Sequence, residues 1–257
     1  LPYFEKHPKL FFIALFYTMA LYLPNIIIWQ GPMGISIADT YVYAPVYDVV
    51  TFYAFLSILP VMMMFVVSTE LHFYEKYAVY FTYITKKGNF KDIEDAKQDV
   101  LHTLWVELRN IVEFQLVFTL IFLALGNYFL SQIGLSPEAV NIYILIVLGA
   151  FFLGAVQVIY TLLLYFEDQQ GVLWIVGSLF MAVLVFGIIG FLMGEKTYGF
   201  TFFLATAFAF LAAYARAVYF CNRIDYFVFC SRPVFYHEPE GWFSKLANLL
   251  QKHAVKE

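Results

Sequence analysis

The stretch YILIVLGAFFLGAVQVIYTLLLYF, residues 143–166, contains no charged side chain and no regular alternation of polar and apolar residues. About 20 helical residues, each rising about 1.5 Å, cross a hydrocarbon layer of about 30 Å, so the stretch is long enough to span a membrane. In lipid only helices and closed barrels satisfy every backbone N–H and C=O group, and barrel strands would be shorter and alternating. The stretch therefore predicts a transmembrane helix.

The composition of the chain extends this interpretation to its other apolar stretches. Hydrophobic residues make up 62% of the 257 residues and charged residues only 13%, whereas a soluble domain contains about 45–50% and about 25%. A water-soluble core cannot absorb this excess. We expect an all-α membrane protein, a bundle of about six transmembrane helices with additional amphipathic interfacial helices. The predicted spans lie near residues 10–29, 49–69, 114–133, 142–165, 172–194 and 200–220.

Lysine and arginine residues are distributed unevenly between the two sides of these spans. If both ends of the chain lie in the cytoplasm, the outer connections contain only Lys196, and the other 14 of the 15 basic residues fall on the inner side. An excess of Lys and Arg in cytoplasmic loops is the general rule for membrane proteins. The sequence therefore predicts an even number of spans with both ends inside.

The chain divides into four predicted segments. Residues 1–69 contain transmembrane helices 1 and 2, residues 70–113 form a cytoplasmic helical linker, residues 114–222 contain helices 3 to 6, and residues 223–257 form a cytoplasmic tail. KKGN at 86–89 predicts a turn in the linker, and the helix after it is expected to lie along the inner surface before turning into span 3. The amphipathic tail is expected to lie on anionic lipid or to dock on a partner subunit.

Several longer stretches, taken in order, resemble one family. They are YDVVTFYAFLSILPVMMMFVVSTELHFYEKYAVYF at 47–81, DIEDAKQDVLHTLWVELR at 92–109, LLLYFEDQQGVLW at 162–174 and TYGF at 197–200. Together they resemble the PelG family of inner-membrane exopolysaccharide transporters, which is similar to the multidrug/oligosaccharidyl-lipid/polysaccharide flippase superfamily. The six spans resemble the C-terminal half of a twelve-helix flippase.

The resemblance implies a function in transport. It implies that the chain moves a Pel-like, partly cationic amino-sugar polymer of biofilms across the bacterial cytoplasmic membrane, through a polar path between two helix bundles. The implied partners are the polysaccharide, the lipid bilayer, a cytoplasmic glycosyltransferase and the membrane scaffold and signalling subunits of the Pel complex. We expect no nucleic-acid partner and no cofactor. The alternative is a nontransporting membrane scaffold that anchors a polysaccharide synthase complex.

Ionisable residues at or near membrane depth are the default candidates for a polar transport path. Glu70 and Glu113 flank the linker at the cytoplasmic ends of two spans, so we expect them, with Glu75 and Arg216, to line the substrate pathway. Acidic groups would concentrate a cationic polymer. Each carboxylate also fits a solvated or paired position at the membrane edge. We expect Arg216 either to pair with one of these glutamates or to extend its long side chain so that the guanidinium group reaches the interface.

Two further acidic residues, Glu167 and Asp168, close the very short turn after span 4. The turn itself contains no basic residue to compensate them. We therefore expect these two residues either to contact a basic partner subunit or to lie in a solvated turn.

The sequence lacks the usual catalytic and metal-binding patterns. No DxD motif of a glycosyltransferase occurs, and no nucleophile with a base lies at membrane depth. His102 and Glu107 loosely resemble the His-x4-acid motif of acyltransferases, but they lie on the charged linker helix. Cys221 and Cys230 have no histidines at metal-ligand spacing. We expect a noncatalytic protein without a metal site.

Overall fold

Prolines at the first turns of apolar stretches mark where several helices begin. Pro8, Pro45 and Pro137 each open a helix, at a position where the missing N–H would have no intrahelical partner in any case.

The structure, a computed structural model, describes residues 7–85 and 88–227. The α-helices of this part are α1 (Pro8–Trp29), α2 (Pro45–Phe55), α3 (Leu59–Ser68), α4 (Tyr74–Thr85), α5 (Phe90–Gln132), α6 (Pro137–Tyr165), α7 (Gln169–Met193) and α8 (Tyr198–Cys221).

Within residues 7–85 and 88–227, six helical segments are long and apolar enough to cross a membrane, which confirms the prediction of an all-α membrane bundle. They are α1, the interrupted run from Pro45 to Thr85, α5, α6, α7 and the run from Glu195 to Cys221. The chain is therefore a multi-pass membrane protein. Each predicted span lies in one of these segments to within one residue.

The second span is a series of short helices rather than one rod. Between α2 and α3 lies a 3₁₀ turn, Leu56–Ile58, and between α3 and α4 lies a π-helical turn, Thr69–Phe73. Pro60 accounts for the first irregularity, because it has no N–H to donate and its ring crowds the preceding turn. Turns of the π type are rare and frequently occur at functional sites. Because of these interruptions, the two halves of the span pack on different neighbours.

The long helix α5 corrects one expectation. The linker helix and span 3 form a single helix of 43 residues. At about 1.5 Å per residue this helix is about 64 Å long, roughly twice the hydrocarbon thickness. The predicted turn into span 3 is wrong, since neither glycine nor proline interrupts the sequence between Asn89 and Gly126. The buried apolar stripe that includes Val100 and Ile111 also runs directly toward the span.

Helix α6 occupies the centre of the bundle. It packs along α8 and α2 and also contacts α5 and α7, while α1 packs along α7. Glycines permit the close approach of α6 and α8: a Cβ on Gly149 would lie 2.7 Å from the Phe202 ring, and one on Gly199 would lie 2.8 Å from the Ile142 carbonyl oxygen. Small residues commonly allow membrane helices to approach this closely.

A short antiparallel hairpin connects α1 to α2, and the sequence analysis did not predict it. Strand β1 (Ile35–Ile37) pairs with strand β2 (Tyr41–Tyr43). Ala38 and Asp39 in the turn have positive φ angles of 51° and 54°, at positions where Asn-Gly or Asp-Gly would give the usual hairpin signal. We call this end of the bundle the hairpin end. The opposite end, which carries α4 and the first half of α5, is the linker end.

A glycine in α5 generates a test of the packing between α5 and α6. A Cβ on Gly126 would lie 1.9 Å from the ring of Tyr143, which is fully buried and donates a hydrogen bond to the Phe122 carbonyl at 2.9 Å. We expect Gly126→Ala to lower the stability of the protein by about 1–3 kcal/mol, as overpacking usually does. Thermal unfolding of the purified protein in detergent measures the change.

The matched control is Gly177→Ala in α7, where an added Cβ meets nothing within 4 Å. This variant should unfold at the wild-type temperature or slightly above it, because alanine favours helix. Equal melting temperatures for the two alanine variants would contradict the packing described for α5 and α6.

Candidate functional site

At the hairpin end, Asp48 connects α1 to α2. Its carboxylate accepts hydrogen bonds from the side-chain amide of Asn25 at 2.7 Å and from the indole N–H of Trp29 at 3.0 Å. It also accepts from the backbone N–H of Ala44 at 3.1 Å, at the start of α2. One carboxylate thus satisfies donors from both helices. We call Asp48, Asn25 and Trp29 the clasp, because they hold α1 and α2 together at this end.

At the linker end the same two spans separate. Helix α1 packs along α7 and α3 packs along α5, and no extensive contact joins α1 to α3 among the described residues. The face of α6 toward α1 carries Gln157 and Thr161, both half-buried, as are Tyr160 and the facing Tyr17 of α1. We call Tyr17, Gln157, Tyr160 and Thr161, where α1 meets α6, the crevice.

The crevice residues form a neutral hydrogen-bonded group. The hydroxyl of Tyr17 donates to Oε1 of Gln157 at 2.8 Å, and the rings of Tyr17 and Tyr160 meet edge to face with centroids 5.3 Å apart. Thr161 donates its hydroxyl to the backbone carbonyl of Gln157 at 2.8 Å. The bundle therefore places an amide and three hydroxyl groups at a depth that is otherwise apolar.

A largely buried carboxylate, Glu107, connects α5 to the end of α3. One of its oxygens accepts a short hydrogen bond from the hydroxyl of Ser68, and the other lies 3.3 Å from Nδ1 of His72 in the π-helical turn. The Glu107 side chain is 15% exposed and that of His72 63% exposed, so the imidazole links the carboxylate to solvent. The serine bonds to the acid rather than to the histidine, which is not the arrangement of an activated nucleophile.

Three aspartates at the start of α5 line a groove at the linker end. The groove has a volume of about 260 Å³, and an ion pair of 3.9 Å joins Lys76 to Asp99 beside it. One lysine does not balance three carboxylates, so the groove attracts cations. We call it the acidic groove, and its lining residues are Lys76, Val79, Tyr83, Asp92, Asp95, Ala96 and Asp99.

The predicted pathway glutamates lie toward the linker end but do not form one cluster. Glu75 is exposed on α4, and Glu113 is 69% exposed on α5, with Arg109 3.6 Å away. Glu70 belongs to the π-helical turn, and its side chain lies outside the described part of the structure. No described contact joins Glu75 to Glu113, so a shared role in a pathway stays a prediction.

Arg216 has a different partner from the one expected. Its Nε and Nη2 atoms donate to both carboxylate oxygens of Asp168, at 2.9 Å and 2.7 Å for the Oδ2 contacts. The Asp168 side chain is 3% exposed, and it also accepts from the backbone N–H of Gly171 at 3.0 Å, which caps α7. The turn itself contains no basic residue, but α8 supplies one, Arg216, from 48 positions away along the chain.

The remaining predictions for this end of the bundle have different outcomes. Glu167 is exposed and has a φ of 59°, so it ends α6 in the left-handed region, and its contact with a partner stays a prediction. Asp168 is buried and already paired with Arg216, so its carboxylate is not accessible to a partner surface. Of the predicted amphipathic tail, residues 223–257, the part from 228 to 257 lies outside the described residues.

Lys97 joins the first half of α5, beyond the predicted span, to the segment after α8. Its ammonium group lies 2.7 Å from Glu94 and 3.0 Å from Asp225. Burial tends to lower the pKa of Lys97, but the two carboxylates outweigh burial and raise the pKa above its usual value. Lys97 therefore stays charged near neutral pH and holds the linker end together.

The sequence analysis did not select Glu107, Asp48 or Gln157. Glu107 offered a signal, because it lies three residues after Leu104 and seven after Val100, on the apolar face of α5. A carboxylate on such a face needs a polar partner. Gln157 offered a weaker signal, because it is a polar amide side chain inside an uncharged span. The partners of all three residues depend on helix packing, which local pattern does not reveal.

The pair of Arg216 and Asp168 generates a test of what holds the turn between α6 and α7. We expect Arg216→Met to lower stability by about 3–5 kcal/mol, because Asp168 would keep a buried charge without a partner. Thermal unfolding in detergent measures the loss. Adding Asp168→Asn to this variant should recover part of it, since no buried charge then remains.

The control for this test is Arg109→Met, which removes an arginine from an ion pair whose two side chains are both about two-thirds exposed. Exposed pairs contribute about 0–1 kcal/mol, so this variant should unfold close to the wild type. Wild-type stability of the Arg216→Met variant would show that the buried pair does not hold the turn.

Comparison with known proteins identifies the family. Residues 1–229 match the family model PelG, described as "Putative exopolysaccharide Exporter (EPS-E)". No curated protein sequence and no solved structure gives a significant match. The matched region includes the clasp, the crevice, the Glu107 contacts and the acidic groove. The chain belongs to the PelG family, a family of exporters rather than of enzymes.

Proposed function

We propose that this protein exports an exopolysaccharide across the bacterial cytoplasmic membrane without itself making or breaking glycosidic bonds. The cargo is a Pel-like, partly cationic amino-sugar polymer, and it passes between this bundle and a second helix bundle. The family match supports the exporter role. The observation that carries the mechanism is an asymmetry between the first two spans. Asp48 joins α1 to α2 at the hairpin end, whereas no extensive contact among the described residues joins α1 to α3 toward the linker end. In this proposal the two spans part on the side from which the cargo is loaded.

The charges at the linker end support a cationic cargo. The acidic groove places three aspartates beside one lysine, and the exposed carboxylates of Glu75 and Glu113 lie at the same end, the latter 3.6 Å from Arg109. Such charge raises the local concentration of a cationic polymer without requiring a close fit. Arg216 does not oppose this attraction, because Asp168 neutralises it. In this proposal Arg216 holds the turn between α6 and α7, and Glu70 joins the acidic approach.

The linker end faces the cytoplasm in this proposal. It carries nearly all the lysine and arginine residues, in agreement with the positive-inside rule. A cytoplasmic glycosyltransferase then delivers the growing polymer to this end, and membrane scaffold and signalling subunits assemble with it. Glu167 is exposed at the turn after α6 on the same side, and in this proposal it contacts a basic partner subunit.

Cysteine labelling in intact cells tests the orientation. With Cys221 and Cys230 replaced by serine, a new cysteine in place of Thr40 at the hairpin tip should react with a membrane-impermeant maleimide. A cysteine in place of Gln98 on the exposed face of α5 should react only after the cells are opened. The reverse result would place the acidic groove outside and contradict loading from the cytoplasm.

Removal of the acidic approach tests the role of charge in export. In cells with the full-length protein as their sole copy, Glu75→Gln combined with Glu113→Gln should lower extracellular polymer about tenfold, because electrostatic steering of the cargo weakens. The amount of protein in the membrane should not change. The control is Glu138→Gln, which neutralises an exposed glutamate at the hairpin end and should leave export intact. A nontransporting scaffold would tolerate all three substitutions.

A further inference from the structure

A cavity lies between α2, α5 and α6 toward the hairpin end. Among the described residues α2 and α5 make no extensive contact with each other, and α6 packs on both of them. The cavity has a volume of about 350 Å³, with Tyr53 of α2 and Tyr143 of α6 in its lining. Cavities that bind small ligands measure about 300–1,000 Å³. We call it the apolar cavity, and its other lining residues all belong to α5: Phe122, Leu125, Gly126, Phe129, Leu130 and Ile133.

The lining of the apolar cavity favours a hydrocarbon ligand. None of its residues is charged. The hydroxyl of Tyr143 already donates to the Phe122 carbonyl at 2.9 Å, which leaves the half-buried Tyr53 as the other source of a hydroxyl group in the lining. Water needs two or more polar partners, and apolar cavities in proteins stay dry and accept hydrocarbon ligands instead.

The residues that α5 contributes form one stripe along the helix. They recur at intervals of three and four positions, so they lie on one face. Between residues 122 and 133 the helix rises about 16 Å, at about 1.5 Å per residue. One leaflet contributes half of a hydrocarbon layer of about 30 Å, which is about 15 Å. The length of the stripe therefore matches an acyl chain that extends through one leaflet.

The position of the stripe determines which molecules reach it. No charged residue occurs between Glu113 and Glu138, so this part of α5 lies in the apolar layer of the membrane. Leu125, Phe129 and Ile133 are 47%, 53% and 55% exposed, so the bundle does not close the cavity on this side. At this depth a bilayer supplies phospholipid acyl chains. The cavity is too small to hold a transmembrane helix, whose diameter with side chains is about 10–12 Å.

We propose that the apolar cavity binds one acyl chain of a membrane phospholipid, in the leaflet at the hairpin end. The chain lies along the stripe at 122–133 and packs against the ring of Tyr143. It fills the gap where α2 and α5 lack direct contact, since an empty gap would leave the lining atoms without packing partners. This inference depends neither on the cargo nor on the direction of export.

Retention of lipid by the purified full-length protein tests the site. The protein is reconstituted in nanodiscs of palmitoyl-oleoyl phosphatidylglycerol, released into a mass spectrometer under native conditions and stripped of loosely held lipid. The wild type should keep one phospholipid per chain. Leu125→Trp places an indole ring in the cavity and should lower the lipid-bound fraction about tenfold, because an overfilled space no longer accepts the chain.

The matched control is Val117→Trp, which adds the same ring to the same helix outside the cavity lining. Val117 is 52% exposed, close to the value for Leu125, so both new side chains meet lipid to a similar extent. This control should keep its phospholipid as the wild type does. Should thermal unfolding show that Leu125→Trp does not fold, Ile133→Trp adds the ring at the end of the stripe and decides the question.

Three results would overturn the acyl-chain site. The first is a wild type that keeps no phospholipid. The second is equal retention by the cavity variant and by Val117→Trp, which would show that any exposed position on α5 holds lipid equally well. The third is a retained mass equal to a second copy of the chain in place of the phospholipid, which would make this face an interface between protein subunits.

Discussion

A polar group in hydrocarbon has no water to bond with, so the protein itself must provide its partner, and this requirement explains most of the side-chain arrangement in the bundle. Several threonine and serine hydroxyls in the spans bond to carbonyl oxygens of their own helices. Other polar groups reach across to a second helix, as Asp168 does to Arg216, the Tyr17 hydroxyl to Gln157 and the Ser68 hydroxyl to Glu107. These cross-helix contacts fix how the helices are placed relative to one another.

The broken second span gives the bundle its asymmetry. A single straight helix would pack on the same neighbours along its whole length. Pro60 and the adjoining 3₁₀ turn, Leu56–Ile58, instead let α2 pack on α6 and meet α1 at the hairpin end, while α3 follows α5 at the linker end. The π-helical turn that follows α3 brings His72 to Glu107 on α5.

The sequence was sufficient for the six spans, because each depends on a long local run of uncharged residues. It was insufficient for the sites, because their members lie far apart along the chain: 48 positions separate Asp168 from Arg216 and 140 separate Tyr17 from Gln157. The path of α5 was mistaken for a related reason. The local pattern located a charged amphipathic helix and an apolar span correctly. The structure shows that the two form one helix, which agrees with the lack of a glycine or proline between them.

Two carboxylates illustrate how the same group can serve a fixed or a movable contact. Asp168 is 3% exposed and bonded in a fork to the guanidinium of Arg216. Separating this pair would leave two poorly hydrated charges, so the turn between α6 and α7 belongs to the rigid part of the protein. Asp48 is half-buried and bonded to neutral donors, the amide of Asn25 and the indole of Trp29. When these bonds open, water can replace the donors and no counter-ion is left behind. The clasp is therefore a contact between the first two spans that can open at lower cost than the buried ion pair. Under the proposed function, it lies at the end through which the cargo leaves.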